Sequence, residues 1–341
     1  MTSQVTLLDC TLRDGGYVNN WEFDTDTSLK IMKAVYDSGV RLIELGIMGR
    51  GGVKGKQTKF VSFEDARELL DAREKDCKYT IMVTQAESKY ISIPEKTAAA
   101  PEIIRLAYFK QERSEALKTA KELMDKGYTV FFQAMATFLY TKEEYLKMLE
   151  EVNRLKPAAF YMVDSFSTMY KEDVHYWANL TASALSPDIG FGFHAHNNMQ
   201  MAYANVIEYM ELMKTLNRDV YIDGSIFGMG RGAGNVPTEL LMYYCNTRYG
   251  AKYDSKPLLK AFQDILLPIY KQYGWGYSLP NLLTATKSMN SAYAWFLSTR
   301  GITDILAFDE IMDAIPEEKR YTLMKDVVVK LIEEYKEKHH D

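Results

Sequence analysis

The 341-residue chain is 47% hydrophobic and 26% charged, an ordinary globular composition with length enough for one full-sized core plus an appendage. Its net charge of −5 and the lack of a basic cluster argue against a nucleic-acid partner, and no apolar run approaches the ~20 residues that span a membrane. Cys10, Cys77 and Cys245 lack metal-finger or disulfide-scaffold spacing, and the start reads as a strand rather than a signal peptide, so the expected setting is reducing and cytoplasmic.

The first strand is predicted at Val5–Asp9, running into Cys10-Thr11-Leu12-Arg13-Asp14-Gly15-Gly16. Glycines here allow a sharp turn and the close approach of a ligand. Asp14 offers a hard anionic oxygen to a metal, and Arg13 a planar fork of donors for a carboxylate or an enolate. The alternative is a surface turn with an ordinary ion pair. Further strands are predicted at Leu42–Gly46, Tyr79–Val83, Ile103–Tyr108, Thr129–Ala134, Ala159–Asp164, Gly190–His194 and Val220–Ser225. Amphipathic stretches separate most of them: Ser28–Ser38, Phe63–Glu74, Ser114–Lys126, Lys142–Leu155, Lys171–Leu185 and Met199–Leu216. The link between the third and fourth strands is only weakly helical, with Ala98-Ala99-Ala100-Pro101 a poor fit.

The seventh strand ends in Gly192-Phe193-His194-Ala195-His196-Asn197-Asn198. Residues i and i+2 of a strand share a face, so His194 and His196 can present two imidazoles to one point. With a carboxylate from elsewhere, that holds a divalent metal, and ligand softness favours Mn²⁺, Zn²⁺ or Fe²⁺ over Mg²⁺. The alternative is one core histidine and one surface histidine. After the eighth strand, Gly228, Gly230, Gly232 and Gly234 alternate up to Asn235 and Pro237, a loop able to fold tightly over a small ligand. Its spacing fits neither the dinucleotide nor the P-loop fingerprint. A helix follows over Glu239–Tyr249.

Eight strands alternating with helices predict an α/β fold, a TIM (β/α)8 barrel over residues 1–250, with a doubly wound open sheet as runner-up. In a barrel the first, seventh and eighth strands are neighbours, so the three motifs meet at their C-terminal ends, where barrel active sites lie. Asp164-Ser165 joins the same rim, and Glu44 points into the barrel or against a helix. Residues 251–341 read as a C-terminal helical subdomain: Leu258–Tyr273, Leu279–Leu297, Phe308–Ala314 and Leu323–Lys338. His339 and His340 are expected to be disordered rather than ligands.

These motifs resemble the metal-dependent aldolase, lyase and synthase barrels that include hydroxymethylglutaryl-CoA lyase and isopropylmalate synthase, and most closely the 4-hydroxy-2-oxovalerate aldolase branch. The similarity rests on Asp9 to Gly15, Phe193 to Asn198 and Gly228 to Asn235, and more loosely on Gly276-Tyr277. It implies that Asp14, His194 and His196 bind Mn²⁺ or Mg²⁺, with Asn235 a fourth ligand or bonded to the ligands. It implies that Arg13 stabilises the enolate oxygen of a pyruvate-like keto acid, that Ser165 places its carboxylate, and that Glu44 holds Arg13. The expected reaction is reversible aldol cleavage of a 4-hydroxy-2-keto acid to a small 2-keto acid and an aldehyde. Relatives of this branch often pair with an aldehyde dehydrogenase, for which, or for a homo-oligomer contact, the helical tail is the expected docking surface.

The chain departs from that branch where it usually has a histidine base, three residues after the metal aspartate; here stands Tyr17. The loop after the second strand, Gly46 to Gly52, also lacks the branch's histidine. Tyr17 is therefore expected to orient or deprotonate the substrate hydroxyl, with Tyr277 closing the pocket; a packing role for Tyr17, with a water on the metal as base, is the alternative. Two other functions remain open: a Claisen-type lyase or synthase acting on an acyl-CoA, and a barrel that has lost catalysis and docks a partner.

Overall fold

Eight parallel strands form a closed ring in the computed structural model, which describes residues 5–339. They are β1 (Val5–Asp9), β2 (Leu42–Met48), β3 (Lys78–Thr84), β4 (Ile103–Tyr108), β5 (Thr129–Ala134), β6 (Ala159–Asp164), β7 (Gly190–Ala195) and β8 (Val220–Gly224). Closure comes from β1, which pairs with β8 along its whole length and with β2 through Asp9 and Ile43. An open doubly wound sheet would leave two unpaired edges; here each of the eight strands has a neighbour on both sides. The TIM barrel is thus the observed fold.

Helices α1 (Thr25–Asp37), α2 (Arg67–Asp71), α3 (Gln85–Ser88), α4 (Arg113–Asp125), α5 (Lys142–Leu155), α6 (Lys171–Ala184), α7 (Ala202–Met213) and α8 (Thr238–Tyr249) follow the strands in turn. In α5 the local causes are plain. Thr141 accepts the Glu144 amide while Glu144 reaches back to the Thr141 amide, and Tyr145, Met148, Leu149 and Val152 put one buried face on the barrel.

Successive strand residues point alternately to helices and to the barrel interior. At the N-terminal end the interior holds Leu42, Ile103, Phe131 and Tyr161 in one apolar cluster. Gly190 and Gly192 of β7 make room for it: a Cβ on Gly192 would lie 2.4 Å from the Tyr161 ring, and one on Gly190 2.6 Å from the Tyr221 ring. Two residues along the strands, the interior turns ionic, with Glu44, Arg105 and Asp223 all shut off from solvent. Glu44 therefore points into the barrel.

The segment after β1, expected to turn sharply at its glycines, does so as two short helical turns, Thr11–Asp14 and Gly16–Asn19. Other local expectations change. β2 continues through Met48 and is flanked by a two-residue strand, Lys59–Phe60, so the predicted loop begins later. Phe63–Glu74 is mostly turns, with only Arg67–Asp71 helical.

After α8 come α9 (Lys256–Ala261), a π-helical stretch (Phe262–Leu266), α10 (Leu267–Tyr273), α11 (Leu279–Thr286), α12 (Ala292–Thr299), α13 (Ile305–Asp313) and α14 (Lys325–His339). The long helix predicted over Leu279–Leu297 is broken where Ser288 takes a left-handed φ of 51°. Leu258, Ala261 and Leu266 pack into the barrel's own core, whereas Met289 to Ile332 contribute a second, smaller one. His339 continues the last helix, its Nδ1 against the Tyr335 carbonyl at 2.9 Å; His340 lies outside the described residues. Among the described residues no helix is long and apolar enough to cross a membrane.

Asp9 staples the closing seam. Its carboxylate accepts the Thr11 amide at 3.0 Å and the Thr238 hydroxyl of α8 at 2.7 Å. Burial nevertheless pushes its carboxyl up to about 6. A native value above the unfolded one penalises the ionised native state: the penalty is absent below pH about 4, grows between about 4 and 6, and reaches about 3 kcal/mol beyond. Asp9→Asn should therefore match the wild type in urea unfolding near pH 4 and gain on it by pH 8. A pH-independent difference would show that Asp9 ionises without penalty.

Candidate active site

Asp14, His194 and His196 meet at the C-terminal ends of β1 and β7, with one ligand atom from each lying within 4.8 Å of the other two. The turn carrying Asp14 is tied to β8: the Cys10 amide donates to Gly224 at 2.8 Å, and Thr11 Oγ accepts the Ile226 amide at 2.8 Å. His194 Nδ1 donates to Asp223 Oδ2 at 2.9 Å, and His196 Nδ1 to the Asp164 carbonyl at 3.1 Å. These partners set both tautomers and leave each Nε2 as a bare acceptor. Both Nε2 atoms and Asn235 Oδ1 are buried without a hydrogen-bond partner. Such orphaned acceptors are costly, and here they surround a carboxylate; a divalent cation fits the set.

Electrostatics agree. Burial disfavours the Asp14 anion, but Arg13 and the two histidines outweigh it and hold its carboxyl well below the usual range. Burial lowers His194 to about 4 despite its bond to Asp223, so at neutral pH it is the uncharged ligand form. Arg13 donates from Nε to Glu44 Oε2 at 2.7 Å and from Nη1 to Asp14. Arg105 donates to the same Glu44 oxygen at 2.8 Å and, from Nη2, to Asp223. The Gln133 amide oxygen faces the Arg105 guanidinium, and Arg105 stands 4.8 Å from the Tyr161 ring centre. Three carboxylates thus share two guanidinium groups, leaving one negative charge in excess for a cation. Arg13 Nη2 is buried and has no partner.

The glycine loop wraps this cluster rather than a phosphate. A Cβ on Gly230 would lie 2.4 Å from Asn235 Nδ2 and 2.6 Å from Asp14 Oδ2. Through that approach Asp14 Oδ2 accepts from Asn235 Nδ2 at 2.9 Å and from the Arg231 amide at 3.2 Å. Gly16, expected to admit a ligand, instead lies against the Trp21 indole, whose Nε1 donates to the Arg13 carbonyl at 2.8 Å. Asn198, fully buried, joins three segments: its amide group bonds Thr284 and Ser291 of the tail, and its oxygen accepts the Ala233 amide of the glycine loop at 2.8 Å.

A cavity of about 140 Å³ opens over the cluster, lined by Arg13, Asp14, Tyr17, Ser165, His194 and His196 among others. Ser165 Oγ accepts the Ala136 amide at 2.8 Å, which leaves its proton to donate. The Tyr17 ring sits edge-on to Trp21 at 4.6 Å and under the Arg231 guanidinium at 4.4 Å. Glu44 lies behind Arg13, outside the lining. Tyr277 also stands outside it, 55% exposed: Gly274 and Gly276 both take positive φ and turn Trp275, not Tyr277, toward Phe227. The tail's contribution to the lining is Asn290. Sequence reading missed Arg105, Asp223, Asn198 and Arg231. A lone arginine in the apolar run Ile103-Ile104-Arg105-Leu106 was the one available signal.

Fold and cluster together define a (β/α)8 barrel with a candidate divalent-metal site at the C-terminal ends of its strands. The chain belongs to the HMGL-like family, whose profile matches residues 4–265, a family of divalent-metal-dependent lyases. It is 25% identical over 274 residues to the 4-hydroxy-2-oxovalerate aldolase of Geobacillus thermodenitrificans, covering 78% of this chain and 76% of that one. It is 24% identical over 241 residues to the oxaloacetate decarboxylase of Mycobacterium tuberculosis, covering 69% and 68%. The crystal structure of the N-terminal domain of a Bacteroides vulgatus protein described as a candidate aldolase superposes with a TM-score of 0.72 at 25% identity, over 87% of this chain and all of that domain.

His194→Ala and Asp14→Asn should each abolish stoichiometric Mn²⁺ binding in titration calorimetry while leaving the circular dichroism spectrum of the barrel intact. A His194→Ala protein that keeps full metal affinity would remove the cluster from consideration.

Proposed function

We propose that this protein is a divalent-metal-dependent carbon–carbon lyase that cleaves, and in reverse forms, a 4-hydroxy-2-keto acid through a pyruvate-like enolate. The observation that carries this is the unpartnered Arg13 Nη2, held beside a cluster of bare metal-ligand atoms and lining the same cavity. Asp14, His194 and His196 would hold the cation with Asn235 as a fourth donor; Mn²⁺ suits the set best, with Zn²⁺ and Mg²⁺ as alternatives. Bound there, the cation supplies Lewis-acid polarisation of a keto oxygen and an anchor for the adjoining carboxylate.

The chain's own residues do the rest. Glu44 and Asp14 grip Arg13 on two sides, so its free Nη2 is aimed rather than mobile, and it donates to the oxygen on which enolate charge collects. Ser165 donates to the substrate carboxylate. Tyr17 takes or orients the proton of the C4 hydroxyl. As that proton leaves, the C3–C4 bond breaks, its electron pair forms the enolate, and an aldehyde departs; protonation at C3 then gives the keto acid. Met82, Ala107 and Val163 make part of the lining apolar and keep water from the enolate.

A cavity of this size suits a small keto acid better than an acyl-CoA, being well under the roughly 300–1,000 Å³ of sites for drug-sized ligands. Decarboxylation of a 2-keto dicarboxylate, the reaction in the name of the mycobacterial relative, passes through the same enolate. For handing on the aldehyde, we assign the helical tail, where Trp295 and Leu306 are exposed, to a dehydrogenase or a second copy of the chain.

The direct test is exchange of the pyruvate methyl protons with deuterated water in the presence of Mn²⁺; absence of exchange overturns the proposal. Arg13→Lys keeps the charge and loses the fork, and should slow exchange by about 10²–10³ with metal affinity nearly unchanged. A loss under about tenfold would make Arg13 a structural group. Tyr17→Phe separates the half-reactions: pyruvate exchange should persist while aldol cleavage falls by about 10² or more. Cleavage at wild-type speed and with an unaltered pH profile would hand the base role to a water.

A further inference from the structure

Gly230-Arg231-Gly232 presents one cation to the cavity from a backbone with no freedom to withdraw it. On one side, Gly230 is pressed against Asn235 and Asp14. On the other, Gly232 takes a φ of +63°, and a Cβ there would lie 2.5 Å from Asn198 Oδ1 and 2.8 Å from Ser291 Oγ. The Arg231 amide is tied to Asp14 at 3.2 Å. Its guanidinium rests 4.4 Å from the Tyr17 ring centre, and among the described residues no carboxylate pairs with it. The other charged group of the lining outside the cluster, Glu112, follows β4, across the ring from β8 and β1, and its carboxylate is turned back to the Phe109 amide at 3.0 Å.

We infer that Arg231 selects substrates by charge: the 2-keto acid cleaved here carries a second carboxylate at the carbon beyond the hydroxyl. The inference rests on the proposed function. The keto-acid end is held by Arg13, Ser165 and the cluster, and Tyr17 meets the C4 hydroxyl. The substituent on C4 then lies beside the group stacked on Tyr17, which is the Arg231 guanidinium. A planar, weakly hydrated cation with its face covered by an aromatic ring and its edge free is built to take a carboxylate in a bidentate grip. A terminal methyl there would leave that cation unanswered in a half-closed site. Cleavage of 4-hydroxy-2-oxopentanedioate would balance as before: the hydroxyl proton leaves, the C3–C4 bond breaks, and glyoxylate departs from the enolate that becomes pyruvate.

The test compares 4-hydroxy-2-oxopentanedioate with 4-hydroxy-2-oxopentanoate, which differ only in a terminal carboxylate or methyl, on the Mn²⁺-loaded enzyme. The ratio of kcat/KM should favour the dicarboxylate by about tenfold or more and should collapse toward unity in Arg231→Met, with Arg231→Lys between. A binding arm needs no turnover. By titration calorimetry 2-oxopentanedioate should bind more tightly than 2-oxopentanoate, and Arg231→Met should erase the difference. A wild-type preference for the methyl substrate, or an equal loss on both substrates in Arg231→Met, overturns the inference while leaving the lyase reading intact. Failure to cleave either substrate together with failure to exchange pyruvate protons overturns both.

Discussion

Arg105 sits in the middle of the barrel with no contact to water, and the site is arranged around that fact. A buried guanidinium must be matched by carboxylates or it unfolds the structure around it. Glu44 and Asp223 match it, and each also reaches a second group: Glu44 orients Arg13, and Asp223 sets the tautomer of His194. The same pairings that make the centre of the barrel tolerable to charge therefore aim the groups at its mouth. Replacing Arg105 by a hydrocarbon would leave two carboxylates facing each other, and both Arg13 and His194 would lose the reference point that orients them.

This division of the interior explains what was legible in the amino-acid order. Parallel strands covered on both faces read as apolar runs, so all eight were placed to within two residues at each end, and β1, β4, β5 and β6 agree at both. The histidine pair was legible because i and i+2 share a face whatever the surroundings. The ionic layer was not. Arg105 meets Glu44 and Asp223 across 61 and 118 residues, contacts that exist only once the register of the whole ring is set. Tyr277 failed in the opposite direction: a local motif pointed to the cavity, but two glycines with positive φ decide where that turn faces, and backbone dihedrals of glycine carry no mark in the sequence.

The glycine loop shows how one motif can serve several demands. Its alternating glycines read as a loop free to fold over a small ligand. In fact each is small because another part of the protein needs the space: Asn235 and Asp14 beside Gly230, the Gly228 carbonyl 1.9 Å from where a Gly234 Cβ would be, Asn198 and Ser291 beside Gly232. Close approach lets a backbone amide and a side-chain amide reach the same Asp14 oxygen, which fixes the carboxylate without spending its charge.

Asn198 gives the tail a second meaning. Its one amide group bonds two tail hydroxyls and the backbone of the loop that carries Asn235. Docking of the tail and order at the Asp14–His194–His196 cluster consequently draw on the same free energy. Linkage is reciprocal: whatever tightens the loop around a ligand also tightens the grip on the tail, and whatever grasps the tail from outside is felt, in equal measure, at the ligand.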